Sequence, residues 1–106
     1  MGANIKTVEI TLDKVRKLVF NLNTMLKFEE VTGKNFFDFS RNMSKMSALD
    51  LRAFLWAALV QDDPLLPIGV VGELINPENM ENVQKSLLKA QSDNMPVSTD
   101  TEKKNT

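Results

Sequence analysis

Met46-Ser47-Ala48-Leu49-Asp50-Leu51-Arg52-Ala53-Phe54-Leu55-Trp56-Ala57-Ala58-Leu59-Val60 is the stretch on which the fold turns. Ser47 can cap a helix while Asp50, three residues on, reaches back to its amide; Met46 can pack on Leu51 as a hydrophobic staple. Apolar side chains then stand almost all round the helix that runs to Val60, at Leu51, Phe54, Leu55, Trp56, Ala58 and Leu59. Such a helix needs cover on most sides, from the rest of the domain or from a partner.

Toward the carboxy terminus, Asp62-Asp63-Pro64 ends this helix, because proline disfavours helical geometry in the residue before it. Leu65-Leu66 lead to Pro67 at a helix start, and Ile68, Val71 and Ile75 share one face of a short helix weakened by Gly69 and Gly72. The last helix takes Asn76 as N-cap, Pro77 at its first position and Glu78 and Glu81 near its positive end. Met80, Val83, Leu87 and Leu88 form its apolar stripe. From Ser92 to Thr106 only Met95 and Val97 are substantially apolar, too little to offset the entropy of ordering the segment, so a flexible tail is expected over 92–106.

Toward the amino terminus the period is two. Val8, Ile10 and Leu12 alternate with Thr7, Glu9 and Thr11, and Leu18, Phe20 and Leu22 form a second such face. The polar link 13–17 between them predicts a β-hairpin over 6–22, with Lys14, Arg16 and Lys17 as its solvated tip. Met25, Phe28 and Val31 then recur at helical spacing, with Asn23 as N-cap and Gly33 as the left-handed residue beyond the end. Asn35, with Asp38 three residues on, opens a second short helix bearing Phe36, Phe37 and Phe39 and ending near Met43. The expected architecture is α+β and mostly helical: a hairpin packed on four or five short helices in one compact domain over 1–91.

At 106 residues and 42% hydrophobic, the chain can bury one modest core. It has no cysteine, histidine or tyrosine, which removes disulfides, thiolates, the commonest metal ligand and the side chain best suited to proton transfer near neutral pH. No enzyme, metal or cofactor is therefore expected. The net charge is −1 and the basic residues are scattered among acids, which argues against nucleic acid as partner. No apolar run is long enough to span a bilayer. The opening residues lack the form of a signal peptide, and Lys6 stands where a myristoylation motif needs serine or threonine.

The acid pairs Glu29-Glu30 and Asp62-Asp63 lack the spacing of a calcium loop and read as solvated faces or turns. Gly69-Val70-Val71-Gly72 lacks the lysine and hydroxyl residue of a phosphate loop. Phe54 and Trp56, like the phenylalanines at 36, 37 and 39, are read first as core and second as interface anchors. The candidate protein-binding residues are Phe54, Trp56, Met80, Val83 and Leu87, contacting a client or mediating self-association into a homo-oligomer.

Three segments together resemble the tail assembly chaperones of long-tailed, siphovirus-type bacteriophages and prophages. They are Leu18-Val19-Phe20-Asn21-Leu22-Asn23 with Phe28-Glu29-Glu30-Val31-Thr32-Gly33-Lys34, then Asp50 to Leu59, then Asp63-Pro64 with Val71-Gly72-Glu73-Leu74-Ile75 and Pro77-Glu78-Asn79. The likeness spans roughly Lys6 to Ala90 and departs at Leu66-Pro67-Ile68-Gly69, where a more polar, acidic helix start is expected. The resemblance implies a chaperone in the bacterial host cytoplasm that binds the long, largely helical tape measure protein and keeps it soluble. It would help tail tube protein polymerise around that client and be absent from the mature virion. It also implies a longer frameshifted product, and Lys103-Lys104-Asn105 are residue types compatible with an A-rich slippery run. The rival readings are a structural tail or head completion component and, less favoured, a toxin-antitoxin type regulatory module.

Overall fold

The computed structural model describes residues 6–95. Two strands, β1 (Val8–Thr11) and β2 (Val15–Leu18), precede five helices: α1 (Leu22–Thr32), α2 (Phe36–Ser40), α3 (Ala48–Leu59), α4 (Ile68–Leu74) and α5 (Met80–Asn94). A 3-10 turn at Met43–Lys45 joins α2 to α3. The architecture is the expected α+β hairpin on helices.

The all-round apolar helix is α3, and the domain itself covers it: α1, α4, α5 and β2 all pack against it. Leu51, Ala53, Phe54, Leu55, Ala57, Ala58 and Leu59 are buried as a result. Its start follows the expected box, with Ser47 Oγ accepting from the Asp50 amide (3.1 Å) and Asp50 Oδ2 accepting from the Ser47 amide (3.2 Å). Its far end accepts a backbone bond from the hairpin exit, Val19 N–H to the Ala58 carbonyl at 2.9 Å.

The hairpin is antiparallel, with Val8 opposite Leu18, Glu9 opposite Lys17, Ile10 opposite Arg16 and Thr11 opposite Val15. The link is shorter than expected, since Val15 to Lys17 belong to the second strand. Arg16, read as part of a solvated tip, points inward with Leu18 and Phe20 and is only 8% exposed. Its guanidinium is held by Asp13 (Nε to Oδ1 2.7 Å, Nη2 to Oδ2 2.9 Å) and by Asp63 from the turn after α3 (Nη1 to Oδ2 3.1 Å). A charge with ion-pair partners on two elements can occupy an inward position that the alternation alone assigns to an apolar residue.

Leu22, expected on the inner hairpin face, is instead the exposed first residue of α1. The cap is Asn21 rather than Asn23. Asn21 Oδ1 accepts from the Thr24 amide, Thr24 Oγ1 accepts from the Asn21 amide, and the buried Thr24 hydroxyl donates to the Val19 carbonyl at 2.7 Å. Val31, placed on the inner stripe by spacing, is exposed, while Phe28 is fully buried. Gly33 closes the helix as expected, at φ 73°, donating its N–H to the Glu29 carbonyl.

At the other end, Asn76 accepts from the amides of Glu78 and Asn79 through Oδ1, but Pro77 to Asn79 form a turn and regular α5 begins at Met80. The helix also runs past the expected boundary at residue 91. Asn94 clamps the backbone of Lys6, accepting its N–H (2.8 Å) and donating to its carbonyl (2.7 Å), and Met95 is partly buried against the core. The remainder of the expected flexible tail lies outside the described residues.

Candidate protein-binding groove

The residues of the Phe28 to Lys34 segment build a joint. Phe28 sits in a cluster with Phe20, Phe36, Phe39 and Phe54, its ring centroid 4.4 Å from that of Phe39 and 5.5 Å from that of Phe36. Glu29 Oε2 accepts from the Phe36 amide at 2.8 Å, so one acid of the Glu29-Glu30 pair caps α2. Thr32 Oγ1 donates to the Phe28 carbonyl and accepts from the Lys34 amide. Lys34 Nζ meets both oxygens of Asp50, at 2.9 and 3.0 Å. Burial pushes the Asp50 carboxyl up, but Lys34 and the amide and hydroxyl of Ser47 outweigh it and hold the group below the usual carboxylate range. At the hairpin, Arg16 holds the Asp13 carboxyl down at about 2, against a smaller opposing effect of desolvation.

The five candidate binding residues are separated by the fold. Phe54, Val83 and Leu87 are at most 1% exposed and belong to the core, so no partner can reach them in this arrangement. Trp56 is partly exposed, but its indole N–H donates to the Leu66 carbonyl at 3.0 Å and Lys27 Nζ lies 5.6 Å from its ring centroid. Met80 alone is open, at 40%.

Met80 stands on the rim of a groove of about 530 Å³ between the start of α3, α4 and the start of α5. Met46, Leu49, Leu51 and Ile75 supply the rest of its apolar wall, and Leu49 is 46% exposed. Leu49 and Met46 went unnoticed as candidates because each lies beside a capping box and is explained by it locally. Two of the apolar walls are methionines, whose unbranched side chains adapt to different surfaces. Among the described residues, Arg52 is the one charged residue lining the groove. A Cβ at Gly72 would lie 3.1 Å from Arg52 Cδ, so the glycine makes room for the arginine stem.

A second depression, along α5 near Lys85, Leu88 and Met95, differs in its charges. There Lys85 pairs with Glu81 and Lys89 with Asp93, each one turn along the helix. Among the described residues no group of three or more metal-ligating side chains occurs, and no helix is long and apolar enough to cross a membrane. Comparison with protein-family models, with curated proteins and with solved structures finds no match.

Proposed function

We propose that this chain is a tail assembly chaperone of a long-tailed phage or prophage. It binds the tape measure protein in the host cytoplasm, keeps it soluble while tail tube protein polymerises around it, and leaves before the virion is complete. Two things support this reading: the resemblance of three ordered segments to that family, and the open apolar groove. The groove is the observation that carries the binding role. A small domain that buries most of its central helix yet leaves Leu49 and Met80 exposed on one concavity has a surface suited to an amphipathic helix. A long helical client displays such faces, and covering them prevents their self-association.

The test is co-expression with the tape measure protein encoded beside this chain. The client is expected to move from the pellet to the soluble fraction and to co-purify, and purified virions are expected to lack the chain. A client that stays aggregated with this chain and with any frameshifted longer product contradicts the proposal, and presence of the chain in virions favours a structural component.

A further inference from the structure

Arg52 is anomalous among the three arginines of this fold. Arg16 and Arg41 each have a carboxylate within 3.1 Å. Arg52 has neither an ion pair nor a hydrogen bond among the described residues, and its Nε–H is buried without an acceptor. A buried donor with no acceptor is destabilising, and an arginine on a helix surface ordinarily avoids it by swinging into water. Here the stem is laid against Gly72 and the residue lines the groove.

Among the described residues the groove therefore combines an apolar wall with one positive charge and no acid. From this charge asymmetry we infer that its occupant is an amphipathic partner helix carrying a carboxylate inside its apolar stripe, and that Arg52 reads that carboxylate. Aspartate or glutamate there meets the guanidinium end on, accepting from N–H groups of its two Nη atoms, a paired geometry in which arginine binds carboxylates strongly, while the Nε–H stays in the wall. Leu49 and Met80 take the apolar residues one turn to either side. This specifies the recognition chemistry of the chaperone reading and rests on it. A client helix with acids only on its outer face gains nothing at Arg52, so binding selects among segments of a long helical protein.

The test uses a designed helical peptide of about 18 residues, or about five turns. It has a leucine stripe with one glutamate set within it, and a twin peptide carries glutamine there. Fluorescence anisotropy titrations are run against the full chain and against Arg52→Met, which keeps the stem and removes both the charge and the unpartnered N–H. The glutamate peptide is expected to bind the natural chain about tenfold more tightly than its twin, about 1.4 kcal/mol. Arg52→Met is expected to abolish that difference while its melting temperature is unchanged or raised, and Arg52→Lys to retain part of the preference.

Equal binding of the two peptides, or binding of neither, overturns the inference. So does a chain that dimerises through this groove, seen by sedimentation, without either peptide competing. The chaperone reading is scored separately: a tape measure protein kept soluble equally well by the natural chain and by Arg52→Met leaves that reading standing and removes Arg52 from it.

Discussion

The central helix α3 is covered on two flanks in different ways. Against α1 and α2 it meets a continuous aromatic packing in which Phe54 lies 5.5 Å from Phe36 and 5.8 Å from Phe39, and the neighbouring charge, Asp50, is fully partnered. Against α4 and the start of α5 it meets a groove with a glycine at its wall, two methionines and an arginine that lacks a partner among the described residues. One flank is finished by the chain itself. The other has the features of a surface left for something else to complete.

The largest expected effect comes from breaking the finished flank. Phe28→Ala removes a fully buried ring that touches Phe36, Phe39 and Phe54, and is expected to cost about 3–5 kcal/mol. In a domain whose whole stability is about 5–15 kcal/mol, that unfolds a measurable fraction at 37 °C, as chemical denaturation followed by circular dichroism will register.

The next effect is at Asp50. Asp50→Ala removes the capping box and the Lys34 pair together, for an expected loss of about 1–3 kcal/mol. The pH dependence has a defined sign. The folded carboxyl titrates below its unfolded value, so its contribution is complete above pH about 4 and is lost as pH falls through the lower folded value. Asp50→Asn is therefore expected to show a shallower loss of stability on acidification below pH about 4 than the natural chain. Parallel acid limbs in urea titrations would remove Asp50 from this role.

The smallest stability effect is expected in the groove. Leu49 and Met80 lie in the first turns of α3 and α5, where acidic residues suit the positive helix end. Leu49→Glu with Met80→Glu is expected to change stability by no more than about 0.5 kcal/mol. The same pair is expected to abolish retention of the tape measure protein. A loss of several kcal/mol would mean that the groove is part of the core after all.

The finished flank was largely legible in the sequence. Ser47 with Asp50 and Gly33 after Thr32 are local signals that make the bonds their residue types promise, and Asn35 caps the Asp38 amide although the Asp38 carboxylate turns to Arg41 instead of reaching back. Errors arose where a distant partner decides the outcome. Arg16 turns inward where Asp63, 47 residues away, joins the local Asp13 in holding its guanidinium, and Asn94 in the last turn of α5 ties down Lys6 across the fold. The groove was half legible. The stripe of Met80, Val83, Leu87 and Leu88 was visible as a period, but a period does not distinguish a side chain facing the core from one facing outward, and Met80 and Leu88 stand free while Val83 and Leu87 are buried. Arg52 gave no signal at all, since lacking a partner is a property of the assembled neighbourhood.

The most direct test is amide hydrogen exchange on the chain alone and on the complex co-purified with the tape measure protein. Slowed exchange is expected at the start of α3 and over residues 72–84, with the Phe28 to Phe39 segment unchanged. Slowing over that aromatic segment instead, or no slowing anywhere in a complex shown to be intact, would contradict the assignment of the groove as the binding surface.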